Sequence, residues 1–500
     1  MNKKLVALNI MSSLLLQIVT LISGFIIPKV ILTCFGSEVN GLISSITQFL
    51  NYITLLEGGV SGVIMASLYK PIEEGNEQKI SGIVKAANQF FYTIGKIYIV
   101  YTLIISVAYY FFIDTRFSFG YVMAMVLILG INLLIQYFFS YTLKVLLNAS
   151  RKVYIVSLTQ IIIIVINVIL VVVLAKVYPQ IHVIKLGSAV IFLLQPLIYT
   201  HFLKKYYHLD KNAEADNEAI SQRWDGFGQN LAFFIHTNTD VVILTIFTDL
   251  IEVSVYSVYN LVAKGLKSLV TSISSAIVPS IGQVLARGNE KEIKSSVDMY
   301  EFGIGFISTL FFTCGIILIV PFVKIYTWDI TDGNYIRPAF GLLILLAEYI
   351  YCFRDPYVSI SYASGHFKQT AKYAYMEAAV NILLSLILIR KVGIIGVAIG
   401  TLISMILRMI CSVIYLKHHI LHRPIRIFIK KAVVFWLSAA AVASFFLNCV
   451  HINPKNYMEW CILGLEAGVV TGIVLCIVSF LFFRKEFCKL FGRFKKGNRR

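Results

Sequence analysis

Charge is what this chain of 500 residues has little of: only 14% of it is Asp, Glu, Lys or Arg, where soluble domains carry about 25%. With 58% apolar residues, that scarcity excludes a soluble globular enzyme and a disordered chain alike. Cysteine chemistry is also missing. The eight Cys (34, 314, 352, 411, 449, 461, 476, 488) form no CxxC pair, and most fall in apolar runs as small core hydrophobes. Neither a disulfide framework nor a metal site follows from their spacing. GxxxxGK[ST], GxSxG and HExxH are all absent, so neither ATP hydrolysis nor those hydrolytic chemistries is expected, and no cofactor is implied. Alternating strands of ~10 residues, the mark of a membrane barrel, are lacking too.

Present instead are long continuous apolar runs, such as 161–174 (IIIIVINVILVVVL), and a mean hydropathy of +0.79. A membrane helix needs about 20 apolar residues, and the runs predict an all-α polytopic membrane protein with fourteen spans. These lie at 5–33, 41–68, 86–113, 118–145, 153–177, 182–203, 226–248, 252–286, 297–325, 336–364, 372–390, 394–417, 431–449 and 458–484. Lys and Arg concentrate at the N-terminus, in every second loop (70–85, 144–152, 204–223, 287–294, 368–372, 417–431) and in the tail 484–500. That asymmetry puts both termini in the cytoplasm. It also assigns the net charge of +18 to loops facing a membrane, not to a nucleic-acid surface. The basic stretch 417–431 (KHHILHRPIRIFIKK) and the tail read as segments lying on anionic lipid.

An internal repeat organises the spans. VILTCF at 30–35 returns as VILTIF at 242–247, and Gly75-Asn76-Glu77 as Gly288-Asn289-Glu290. Ala149-Ser150 returns as Ala363-Ser364, Asn167 as Asn381, and Gly187 as Gly400. The register holds across six spans. Two copies of six spans enter from the same side, so they are parallel repeats with a binding site expected between them. The domains predicted are a six-helix lobe at 1–203, a cytoplasmic linker at 204–225, a second six-helix lobe at 226–417, and two further helices with a basic tail at 418–500.

A 6+6 parallel repeat of this size resembles the multidrug/oligosaccharidyl-lipid/polysaccharide exporter superfamily. Residues 50–80 (LNYITLLEGGVSGVIMASLYKPIEEGNEQKI) are similar to the second-helix region of its Wzx-type polysaccharide flippases, where a Leu-x-x-Gly break precedes an aromatic-Lys-Pro and a Gly-Asn loop. The resemblance covers essentially the whole chain. It implies translocation of lipid-linked oligosaccharide by alternating access of two lobes, in a bacterial cytoplasmic membrane.

Charge at the bilayer centre costs on the order of 2.5–3.5 kcal/mol, so intramembrane ions mark candidate sites. Lys96 lies about 15 Å along the third span, Lys264 about 18 Å along the eighth with Lys267 one turn deeper, and Arg408 about 21 Å along the twelfth. Arg354 sits beside Asp355. With no acid next to them in sequence, Lys264 and Lys267 are expected to face one cleft with Arg408 and hold a diphosphate. Lys96 reads equally as a snorkelling lysine, and Arg354 as the structural partner of Asp355 or Glu377. Glu57, before Gly58-Gly59, and Asp240 are candidates for a coupling proton or Na⁺, or for neutralising a nearby lysine. Gln17, stacked with Asn9 and Ser13 on the first helix, and Asn230 and Asn238 on the seventh suit sugar hydroxyls, or serve as polar links between helices.

The function expected is a flippase for undecaprenyl-diphosphate-linked repeat units of a surface polysaccharide. Its partners would be that lipid-linked substrate, membrane lipids, and a polymerase and glycosyltransferases of the same pathway. The alternatives within transport are a lipid II flippase and a drug/cation antiporter. A membrane glycosyltransferase or polymerase would need a large outer loop bearing acids, and the outer loops here are short.

Overall fold

The computed structural model describes residues 3–489 apart from 58, 114, 211, 225–226 and 451–452, and the side chains of 3, 222–233 and 235–237 lie outside that description. Among the described residues the chain is helical throughout, as its apolar runs require: in a bilayer every backbone N–H and C=O must be bonded within the chain. The helices are α1 (Lys3–Asn51), α2 (Val60–Glu74), α3 (Glu77–Phe112), α4 (Phe119–Ile135), α5 (Tyr141–Ala149), α6 (Val153–Val177), α7 (Ile181–Ile191) and α8 (Leu194–Tyr206). There follow α9 (Phe227–Phe247), α10 (Leu250–Arg287), α11 (Glu290–Tyr326), α12 (Pro338–Ala363), α13 (Phe367–Val392), α14 (Ile394–Leu416), α15 (Arg426–Cys449) and α16 (Tyr457–Phe482).

These pieces assemble into the fourteen expected membrane-length segments, and eleven described stretches are both long and apolar enough to span. Two of the three differences have local causes, in α1 and in α12. Lys4–Glu57 is one apolar stretch, yet 54 residues would reach about 80 Å as a straight helix, more than twice the hydrocarbon thickness. Gly36, at φ 83°, divides it into two spans, since a residue with a Cβ is strained there. The second span breaks again at a 3-10 turn (Tyr52–Glu57) before Gly59, at φ 84°. A π-turn (Gln136–Ser140) joins α4 to α5. Pro196 stands in the first turn of α8, where its missing N–H removes no helical bond. α12 is long enough to span but carries Glu348, Arg354 and Asp355.

The repeat has physical content. Asn76 caps α3 by accepting from Lys79 N at 3.0 Å; Asn289 caps α11 by accepting from Lys291 N at 3.1 Å. The glycines before them, Gly75 and Gly288, take φ of 66° and 71°. Asn167 lies in α6 and Asn381 in α13, six spans apart. Gly187 of α7 abuts Leu170 of α6, as Gly400 of α14 abuts Ser385 of α13.

By contact the chain forms two compact units, Met1–Ser254 and Val255–Arg500. α9 packs within the first unit. Polar side chains hold it to α1: Gln48 Nε2 donates to Asn238 Oδ1 at 2.6 Å and Thr245 Oγ1 to Ser45 Oγ at 2.8 Å. The segment expected as a linker is docked on α2 and α3. Ser67 Oγ donates to Ala219 O at 2.6 Å, Asp216 N to Gly82 O at 3.1 Å, and Asp210 N to Ser81 Oγ at 3.0 Å.

Candidate functional site

In the second unit, α12 sets the geometry. Glu348, Tyr351, Arg354 and Asp355 recur at helical spacing and so share one side of it. Lys267 of α10 reaches Glu348 Oε2 at 2.9 Å, and its Nζ lies 3.6 Å from the centroid of the Tyr351 ring. The Arg354 guanidinium flanks the same ring at 4.8 Å. Arg354 Nη1 then donates to Glu377 Oε1 of α13 at 2.5 Å, and Arg408 Nη1 of α14 to Glu377 Oε2 at 2.7 Å. Arg408 Nη2 also donates to Tyr362 OH at 3.3 Å. Asp355 accepts from Ser274 Oγ, which lies 2.5 Å from Tyr300 OH of α11. One polar network therefore ties five helices together, with Lys267, Arg354 and Arg408 facing Glu348, Asp355 and Glu377.

Electrostatics explains the pairing. The Glu377 side chain is 1% exposed, and an isolated buried carboxylate would cost several kcal/mol of desolvation. Two guanidiniums, one on each oxygen, offset that cost with charge-assisted bonds. No acid stands next to Lys267 in sequence, and Glu348 reaches it from α12. The two lysines also part ways: Lys264 is exposed, while Lys267 is largely covered. Arg354 pairs with Glu377, one of the two partners foreseen.

The remaining expected residues fall elsewhere. Lys96 is exposed on α3, on the side that carries Tyr92, Val100 and Leu103. Gln17 is half-buried on α1. Its neighbours Asn9 and Ser13 bind the start of α6: Asn9 Nδ2 donates to Arg151 O at 2.9 Å, and Ser13 Oγ lies 3.4 Å from Ser157 Oγ. Asn238 bonds Gln48 and donates to Phe234 O at 2.9 Å. Asp240 is buried. Asn230 lies outside the residues whose side chains are described.

Glu57 has the more specific surroundings in the first unit. It ends the 3-10 turn, accepts from Tyr137 OH, and is neighboured by Tyr141 and Lys144. The π-turn of the fourth span places Tyr137 and Tyr141 in a stack with centroids 5.2 Å apart, and Tyr98 meets Tyr137 edge-on at 5.8 Å. A carboxylate at a broken helix is thus met by hydroxyl donors and one ammonium, which offset the cost of burying its charge. The legible signal for these partners was the spacing Tyr137, Tyr141, Lys144, which puts all three on one helix face.

The basic stretch 417–431 corrects a further expectation. Arg423 Nη1 donates to Asp298 Oδ1 at 2.8 Å and Arg423 also pairs with Glu301. Lys431 Nζ meets Glu301 Oε2 at 2.8 Å and Asp298 Oδ1 at 3.1 Å. Arg423, just before α15, and Lys431, within it, fasten this stretch to α11 and are not spread on lipid. The RFKKGNRR tail lies outside the described residues.

No family model and no curated protein matches this chain. Solved structures do. A lipid II flippase, MurJ, in an inward closed conformation matches with a TM-score of 0.71 at 16% identity, over 96% of this chain and 99% of that one. An inward-facing multidrug resistance MATE family transporter of the MOP superfamily matches with a TM-score of 0.63 at 12% identity, over 79% and 94% of the two chains. The MATE multidrug transporter DinF-BH gives 0.62 at 14% identity, over 85% and 97%. The chain thus has the fold of these flippases and transporters, and it is a multi-pass membrane protein.

Proposed function

We propose that this protein translocates a lipid-linked oligosaccharide, carried on an undecaprenyl-type diphosphate, across the bacterial cytoplasmic membrane for surface polysaccharide synthesis. The observation that carries the reading is the end-to-end match with a flippase. The match covers 96% of this chain and 99% of that one, whereas the MATE transporter leaves about a fifth of this chain unmatched. A cargo with a diphosphate needs fixed cations to leave the headgroup layer. In this reading Lys96 and Lys264, exposed on their helices, contact it, and Lys267, Arg354 and Arg408 form a charge network that responds to it. Gln17, Asn230 and Asn238 address sugar hydroxyls, and Glu57 or Asp240 carries the coupling ion. Mechanism is binding and alternating exposure to the two sides, without covalent chemistry. The termini and the basic loops face the cytoplasm.

A second reading, translocation of lipid II, is favoured by the same structural match, since that is the substrate in the matching flippase's name. Both cargoes present a polyprenyl diphosphate and a sugar.

The test is reconstitution into liposomes holding a fluorescent polyprenyl-diphosphate oligosaccharide or lipid II, with sugar accessibility read on each leaflet by a non-permeant reagent. Transfer of the first cargo well above the second is expected. Lys264→Ala should accumulate normally yet lose most transfer, and Lys264→Arg should retain more than Lys264→Gln. Dye efflux without transfer of either lipid would establish a drug antiporter instead.

A further inference from the structure

We propose that a groove at one end of the first unit, walled by Tyr69, Lys70, Asn148 and Arg151, binds the phosphorylated saccharide end of the lipid carrier ahead of translocation. The proposal rests on the reading that the cargo is a saccharide diphosphate. The groove forms where the start of α1 (Asn9), the end of α2 (Tyr69 to Glu73), the end of α5 (Asn148, Ala149) and the start of α6 (Val153) converge. It encloses about 850 Å³, within the range of small-molecule sites. The helix ends that form it are those joined by the basic loops.

Its backbone is built for one side chain. Arg151 takes φ 61°, a conformation that glycine adopts freely and a side-chain-bearing residue keeps under strain. Three bonds hold it there: Arg151 N donates to Asn148 O at 3.1 Å, Lys152 N to Leu147 O at 2.9 Å, and Asn9 Nδ2 to Arg151 O at 2.9 Å. A glycine would make this turn more easily, so the guanidinium is what the position retains. Asn9 does a second job. Its Oδ1 accepts from Tyr154 N at 2.9 Å, capping α6, whose N-terminal dipole favours an anion beside Arg151.

The lining matches a sugar phosphate. Arg151 and Lys70 supply two cations, and their present partners are weak. Arg151 Nη2 lies 3.6 Å from Glu73 Oε2, and Lys70 Nζ 3.7 Å from Glu74 Oε1, all four side chains being exposed. Pairs so long and so wet contribute little, and a phosphate can engage a guanidinium through two parallel bonds. Asn148 lines the groove, and its carboxamide can both donate to and accept from a sugar hydroxyl. Tyr69, 51% exposed, offers an apolar ring beside a polar tip.

Ordinary anionic phospholipid also presents a phosphate, and the experiment separates the two sources. Full-length protein in phosphatidylcholine nanodiscs is titrated with a short-chain polyprenyl-diphosphate N-acetylglucosamine. The same titration is run in phosphatidylglycerol nanodiscs and with the polyprenyl diphosphate lacking sugar. Saturable binding that survives phosphatidylglycerol and weakens without the sugar is expected. Arg151→Gly should weaken it tenfold or more, about 1.4 kcal/mol, with Tm unchanged or raised because glycine suits the turn. Lys70→Gln should weaken binding similarly, and Asn148→Ala should erase the preference for the sugar. Unaltered binding in Arg151→Gly, a fall in its Tm, or full competition by phosphatidylglycerol overturns the proposal. Wild-type protein that transfers no lipid-linked saccharide between leaflets sinks the functional reading itself. Intact transfer with indifferent groove variants sinks only the groove.

Discussion

Glu377 is the residue on which the buried charges of the second unit depend. It accepts from Arg354 at 2.5 Å and from Arg408 at 2.7 Å, so Glu377→Gln leaves two guanidiniums in a low-dielectric interior with one weak acceptor between them. Removing one partner of a buried ion pair costs about 3–5 kcal/mol. The expected outcome is a Tm in detergent well below wild type and poor accumulation in membranes, with Glu377→Asp intermediate. Thermal unfolding followed by size-exclusion fluorescence measures it; a Tm equal to wild type would mean the network is not what holds α12, α13 and α14 together. Lys267 and Glu348 differ, because each side chain keeps some exposure and relaxation is easier there. The corollary for function is that loss of transport in an Arg408 variant carries meaning only when its protein level is measured alongside.

At the scale of elements, close approach between neighbouring helices separates the two copies of the repeat. A Cβ added at Gly400 would fall 2.7 Å from Ser385 Oγ and 3.0 Å from Ser385 N, whereas at Gly187 it would meet the flexible Leu170 side chain at 3.1 Å. Backbone cannot yield as a leucine rotamer does. Gly400→Ala should therefore destabilise by about 1–3 kcal/mol as overpacking does, and Gly187→Ala should lie within about 0.5 kcal/mol of wild type. Parallel thermal melts of the two variants decide this, and equal effects would contradict the packing argument. The breaks at Gly36 and Gly59 belong to the same scale. The first separates two spans in one long apolar stretch, and the second delivers Glu57 to the stacked tyrosines of the fourth span.

For the whole molecule, the last two helices are joined to the rest of the second unit through charge as well as apolar packing. Asp298 and Glu301 of α11 hold Arg423 and Lys431, and the Glu301 side chain is 1% exposed. Ending the chain at residue 417 removes both cations and leaves Glu301 without them on a helix that faced α15 and α16. Such a truncation should fail to accumulate, and adding Asp298→Asn with Glu301→Gln should restore part of the level, because a neutral amide costs less to bury than an unpaired carboxylate. Membrane immunoblots of the two truncations measure the difference. No rescue would assign the defect to lost apolar packing along Val442, Phe446 and Leu463.

By itself the sequence determined the all-helical membrane architecture, the fourteen segments and the asymmetry of the basic loops. These are properties of contiguous residues: an apolar run long enough for the bilayer must be helical whatever its neighbours are. Asn76 and Asn289 read only as matching loop residues, and they became caps because α3 and α11 start at Glu77 and Glu290, well before the apolar runs do. Tertiary structure alone decided which charges meet. Lys431 and Glu301 stand 130 residues apart, and Arg408 and Glu377 31 apart. Helical periodicity reports which face a side chain occupies, not which helix will face it. Lys267 therefore read as a lone cation until α12 placed Glu348 against it, and Arg151 read as one basic loop residue among many until its left-handed backbone was seen. Long-range pairing in a membrane follows from the requirement that each buried charge find a partner, and only the folded packing says where that partner lies.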